Sequence, residues 1–264
     1  MPTFRTLPRL ALGLCLALPL ARAFGATPAV HLEARAYADD GHLLYRESHW
    51  IFATAEGRTR LVLYRCPDGE PFARKWVRDH GRPTSPDVDL EDARRGYREG
   101  VRRRADGRRE VFVRRDAGSA ERSALLDDAP APVIDAGFDA FLRAQWNLDP
   151  DTGLSAPFLL PSRLGTLDLK VRRLPDQVID GRPVRRFRLG LDSLVGFALP
   201  HLDVAYDARS RALWRFRGIA NIRNVAGRNL SVRTDFAPPE PIDDASAAVQ
   251  DAARQPLTGR CPLR

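Results

Sequence analysis

A mainly β fold of the α+β kind is predicted, a large antiparallel sheet curled into a barrel or half-barrel with one substantial helix on its concave face. Three observations predict it. Apolar residues alternate at period two in about ten short runs, turn chemistry falls between successive runs, and one mid-chain segment changes to helical spacing.

The first strands are expected over 30–37, 43–52, 60–66 and 72–77. In the second, Leu43, Tyr45, Glu47, His49 and Ile51 share one side, and Leu44, Arg46, Ser48, Trp50 and Phe52 the other. Glu56-Gly57 and Pro67-Asp68-Gly69 carry turn chemistry, so these strands should pair as an antiparallel meander. A Pro/Asp loop over 83–89 follows, then a hairpin of 97–104 and 108–115 about Ala105-Asp106-Gly107.

The period then changes. Ile134, Phe138, Phe141, Leu142, Gln145 and Trp146 fall at helical spacing, Asp135 stands at the start, and Asp149-Pro150 and Gly153 mark the end. From Phe158 period two returns: Leu167, Leu169 and Val171, then Asp180-Gly181 as a turn, then Phe187, Leu189 and Leu191. An apolar segment over 193–199 reads as one or two helical turns, and strands over 201–206, 212–217 and 230–236 close the domain. The stretch after Ala237 is rich in Pro, Ala, Asp and Gln and reads as an extended or partly disordered tail. The expected division is a leader at 1–23, one half-barrel-like domain at 24–237, and a tail at 238–264.

The leader reading rests on Arg5 and Arg9, an apolar run over 10–20, and the small-x-small Ala21-Arg22-Ala23. Cleavage near Ala23 would release an exported protein, periplasmic in a bacterium. The run is too short to span a bilayer, and Leu14 before Cys15 does not suit a lipoprotein signal. Two cysteines would then remain, Cys66 and Cys261; in an oxidising compartment they are expected to be bonded, stapling the tail to an early strand.

Of 42 basic residues all but Lys75 and Lys170 are arginine. The formal charge is +8, and the leader would remove three arginines from it. Guanidinium pairs well with phosphate and carboxylate, so an anionic envelope component is an expected partner; nucleic acid is not, after export.

No phosphate loop, nucleophile elbow or zinc-helix motif occurs, and nothing calls for a cofactor or a resident metal. Glu47 and His49 project from one face of a strand, a spacing suited to acid/base chemistry but short of a mechanism. Asn147, Asp149 and Asp151 ahead of Gly153 fit a calcium loop poorly, because Phe158 stands where a bidentate glutamate belongs. Asn229-Leu230-Ser231 is a glycosylation triplet inside an expected strand. The main expectation is an apolar groove between helix and sheet, lined by Phe138, Phe141, Leu142, Trp146, Phe187, Leu189 and Trp214, that holds a lipid or acyl chain without catalysis. A packed interaction or envelope-sensing module whose arginine face meets its partner is the alternative, and a hydrolase built on Glu47 and His49 the third.

Residues 204–207 (Val-Ala-Tyr-Asp), 213–219 (Leu-Trp-Arg-Phe-Arg-Gly-Ile) and 232–236 (Val-Arg-Thr-Asp-Phe) resemble the closing strands of an uncharacterised family of exported bacterial proteins. That resemblance implies a fold similar to the Lol-type lipoprotein carriers, a curved antiparallel sheet over an apolar cavity. It covers about a quarter of the chain and transfers no functional residue.

Overall fold

The computed structural model describes residues 29–191 and 201–263; the expected leader and the apolar stretch 193–199 lie outside them. From β1 (Val30–Tyr37) a meander runs outward through β2 (Leu43–Thr54), β3 (Gly57–Arg65), β4 (Pro71–Arg78), β5 (Asp87–Asp92), β6 (Tyr97–Arg103), β7 (Arg109–Arg114) and β8 (Arg122–Leu125). A second meander comprises β9 (Leu154–Leu160), β10 (Gly165–Ile179), β11 (Arg182–Leu191), β12 (Leu202–Asp207), β13 (Leu213–Arg223) and β14 (Asn229–Phe236). Antiparallel pairing of β14 with β1, Ala34 opposite Phe236 and Tyr37 opposite Arg233, joins the two into one sheet. The short β15 (Glu240–Pro241) pairs with the start of β1, giving a sheet of 15 strands among the described residues. β8 and β9 stand at the two ends of the strand order, Val133 making one isolated parallel bridge to Phe158 of β9, so the sheet is an open half-barrel.

The twist of so many strands makes one face concave. Inward positions on the first wing form a cluster around Tyr45, Val62, Tyr64, Phe72 and Leu90. On the second wing Val171, Phe187, Leu189, Val204 and Tyr206 do the same. The segment after β8 covers both. Its leading residue Ile134 is fully buried against Val77, Val88, Val101 and Val111 of the first wing. The helix α1 (Gly137–Ala144) then lays Leu142 on the second wing, with Trp146 just past its end. Gly137 starts the helix where no larger residue fits: a Cβ there would lie 2.2 Å from the Thr84 carbonyl oxygen.

Several expectations need correction. The helix is shorter than its apolar stripe, because Asp135 takes a left-handed backbone (φ 43°) and Ala136, not Asp135, is the N-cap. The 83–89 loop ends inside a strand, β5, whose Val88 and Leu90 point inward between Asp87, Asp89 and Glu91. The tail is ordered in part: α2 (Ala245–Arg254) begins at Asp244, whose carboxylate accepts the Ala247 amide at 2.9 Å. Its Val249 and Ala252 pack on Leu61, Leu63, Trp50 and Trp76, the outward side of β2–β4. The outer face is therefore not all arginine; on the first wing an apolar patch needs this helical cover.

Cys66 and Cys261 are bonded, with Cα atoms 5.8 Å apart across 195 residues. Arg65 and Arg74 hold Gln255 through its side-chain and main-chain oxygens at 2.9 and 2.5 Å. Together these contacts fasten the tail to β3 and β4. A Cys66→Ala/Cys261→Ala variant is expected to lose roughly 2–4 kcal/mol of stability and to expose α2 to proteolysis, as read by denaturant unfolding and limited digestion; unchanged values for both would show the staple to be inert.

Candidate functional site

Six of the seven expected groove residues meet on the second wing. Leu142, Phe187 and Leu189 are fully buried and Trp146 nearly so, while Phe138 and Phe141 are half-buried against the same cluster. The rings touch one another: Phe141 lies edge-on to Phe158 at 5.8 Å, Trp146 is 6.1 Å from Tyr206 and 6.4 Å from Phe187, and Phe138 is 6.2 Å from Phe216. Helix and sheet thus meet side chain to side chain at these rings. Arg185 and Arg211 close the end of the stripe, each guanidinium 4.8 Å from the Trp146 ring. Trp214 is apart from this cluster. The register shift between Ala205 and Tyr206 places Leu213 opposite Tyr206, and Trp214 lies instead beneath the Arg182 guanidinium at 4.2 Å.

The concave face of the first wing holds a polar group that includes the expected acid/base pair Glu47 and His49. His49 Nε2 and Glu47 Oε2 are 2.8 Å apart, both residues buried, and His49 Nδ1 is buried without a partner. Burial pushes the His49 pKa below its usual 6.5, against the opposing pull of Glu47. Across the register stand Ala34 and Leu32 on one side and Tyr64 and Val62 on the other, none of them an activated nucleophile. Deeper along the wing, Lys75 Nζ donates to Asp135 Oδ1 at 2.8 Å, and Asn221 of β13 donates to the other oxygen. Tyr97 donates to Glu99 at 2.5 Å and accepts from Arg223 Nη2 at 2.9 Å. Burial raises the Glu99 carboxyl and the Tyr97 phenol above their ordinary values.

Lys75 and Asn221 join both wings to the bridging segment through Asp135. One of only two lysines in an arginine-rich chain, Lys75, was the available signal for it. Its compact ammonium meets one Asp135 oxygen, which leaves the second for Asn221.

The outward side of the second wing is cationic. Cross-strand register aligns Arg172, Arg188, Asp203, Arg217 and Arg233 in one row across β10–β14. The next row aligns Arg186, Ala205, Arg215, Asp235, Arg35 and Arg46, continuing through β1 into β2. Arginine therefore stands directly opposite arginine at 172/188, 217/233 and 35/46, an arrangement that costs stability in a sheet. Asp203 takes Arg188 through two bonds of 2.7 and 2.8 Å, and Asp235 is shared by Arg215 and Arg233. Arg35, Arg172 and Arg217 stay exposed, Arg217 paired with the exposed Asp39 at 3.0 Å.

The calcium-like triplet is a turn, in which Asp149 accepts the Asp151 amide at 2.9 Å. Asn229 begins β14 and donates to the Ala220 carbonyl. No protein-family model and no curated relative matches this chain.

Two stability measurements check this description. Leu142→Ala should cost roughly 2–5 kcal/mol, and Lys75→Met roughly 3–5 kcal/mol because it strands a buried carboxylate; values near zero in denaturant unfolding would mean that the hollow is loosely filled. The lowered His49 pKa favours the neutral ring in the folded state, so the unfolded chain binds the extra proton. Its contribution is complete above pH 6.5 and is lost as pH falls below that value. Acidification should therefore destabilise the protein less in His49→Gln than in the parent, and equal slopes of stability against pH would refute the assignment.

Proposed function

We propose that this is an exported, non-catalytic binding module whose arginine-bearing outer face docks on anionic lipid headgroups of the envelope, the filled hollow serving as its scaffold. The observation that carries the reading is the cross-strand stacking of arginine on arginine over β10–β14, β1 and β2. Such pairs destabilise an isolated sheet, and an anionic surface that neutralises them returns that cost on docking. The face is broad and exposed rather than a pocket, which suits many weak headgroup contacts of about 1 kcal/mol per basic residue. Export is supported by the disulfide, which forms and persists in oxidising compartments.

A second reading keeps the hollow as the binding place, for an amphiphile. Phe138, Phe141, Leu169 and Leu202 favour it, being only half-buried at the rim of the second-wing cluster. Native mass spectrometry separates the two, since a carrier of this kind retains a co-purified amphiphile and a surface-docking module has the mass of its polypeptide.

Vesicle co-sedimentation tests the first reading. Binding to phosphatidylglycerol vesicles is expected at low salt, with none to phosphatidylcholine and a steep fall towards ~1 M salt, where the Debye length is about 3 Å. The Arg35→Glu/Arg172→Glu/Arg217→Glu variant should bind at least ~100-fold more weakly. Equal binding by parent and variant would overturn the proposal.

A further inference from the structure

At one end of the half-barrel the two wings meet through their turns. The β13–β14 hairpin tip (224–228) reaches the β5–β6 turn: Arg94 Nη2 donates to the Arg223 carbonyl at 2.8 Å and Arg95 Nη1 to the Val225 carbonyl at 2.7 Å. The C-terminal tail joins from a third side, its Leu263 carbonyl accepting the Val225 amide. Between these turns lies a cavity of about 220 Å³, lined by Arg95, Arg115, Arg223, Tyr97, Ser162 and Asp116 among others. A second recess of about 380 Å³ shares Arg95 and adds Arg94 and Arg260.

The charges in this cavity do not cancel. Asp92 is engaged by Arg94 through bonds of 2.9 and 2.5 Å, and Asp116 accepts from Ser119 and the Gly118 amide beside Arg95. Arg223 contacts neutral groups, the Tyr97 hydroxyl and the Gly227 carbonyl, both at 2.9 Å, and its Nε is buried with no hydrogen-bond partner. The Tyr97 hydroxyl in turn donates to Glu99, whose ionisation burial opposes. Arg115 is exposed at the rim and makes no ion pair among the described residues.

We propose that this cavity is a binding site for a phosphoryl group, held between Arg223, Arg115 and Arg95, with Ser162 and Tyr97 beside it. Guanidinium forks match the tetrahedral oxygens of phosphate, and three of them around one cavity suit a dianion. The space holds roughly seven waters' share of liquid volume, enough for a phosphate and a small substituent. The group could be that of a soluble phosphomonoester or of a lipid headgroup. The site lies at the turn end of the barrel, built from residues other than those of the outward arginine rows, so its fate is separable from the vesicle-docking reading.

Isothermal titration with inorganic phosphate, glycerol 3-phosphate and a short-chain phosphatidic acid below its micelle threshold tests the proposal. One saturable site is expected. Tight binding of the first two places the source among soluble phosphates, and binding of the short-chain lipid alone places it among headgroups. Arg115→Ala should raise the dissociation constant at least fivefold without changing the melting temperature. Arg223→Lys, which keeps the charge but loses the fork, should raise it as much if melting shows it folded. The Arg35→Glu/Arg172→Glu/Arg217→Glu variant should keep the parent's affinity within twofold. Absence of saturable binding by all three ligands, an Arg115→Ala variant that binds like the parent, or loss confined to the outer-face variant would each overturn the site.

Discussion

The pairing of β14 with β1 governs the rest of the structure. Each meander alone is a sheet with one greasy side, and joining them edge to edge produces a single curved surface whose inner side no strand can cover. Burial of that inner side is the dominant favourable term available to the chain. The bridging segment supplies the cover because its two halves are matched to the two wings, Ile134 to the first and Leu142 with Trp146 to the second. The carboxylate of Asp135 sits at the crossing point and ties both wings through Lys75 and Asn221. A left-handed backbone at a non-glycine residue is tolerated there because those contacts over-determine it.

Much of this was legible in the residue order, for reasons that also explain what was not. Alternation in 43–52 and 97–104, with glycine turns between strands, identifies neighbours in a meander because hairpin connections are local. The β1–β14 junction is a contact between the two ends of the domain, and no local pattern announces it. β5 escaped notice because its inward Val88 and Leu90 are interleaved with acids directly after a proline-rich loop. α2 escaped because alanine, aspartate and glutamine read as a solvated tail, although Asp244 followed by an apolar Val249 and Ala252 at helical spacing is an N-terminal cap and a packing edge. For the expected groove, six of the seven residues do assemble, since helical and strand periodicities each put them on the right face. Trp214 left that set through a register shift, which period two cannot anticipate. Sequence also could not say whether helix and sheet touch; their ring-to-ring distances do.

Charge is divided between the two sides of the sheet in a consistent way. Inside, several charged and phenolic groups are held by specific partners, as in Lys75 with Asp135 and Tyr97 with Glu99 and Arg223, while the Tyr206 hydroxyl and His49 Nδ1 are buried without one. Outside, on the second wing, arginines outnumber the aspartates that serve them and face one another across strands. Of the interior pairs, the Lys75–Asp135–Asn221 and Tyr97–Arg223 contacts connect distant parts of the chain, at little net gain in stability. An outward surplus does nothing for the fold and lowers its stability slightly, which is why it is read as a surface made to meet something negative. The outer apolar patch of the first wing, by contrast, is spoken for by α2 and the disulfide-tethered tail.

The most direct measurement of this account is arginine-selective dicarbonyl labelling, located by peptide mass spectrometry, with and without phosphatidylglycerol vesicles. Protection concentrated at Arg35, Arg172, Arg188, Arg217 and Arg233, with arginines far along the first wing such as Arg98 of β6 and Arg122 of β8 labelled equally in both conditions, is the predicted result. Protection spread evenly over both wings, or absent from the second wing, would contradict it.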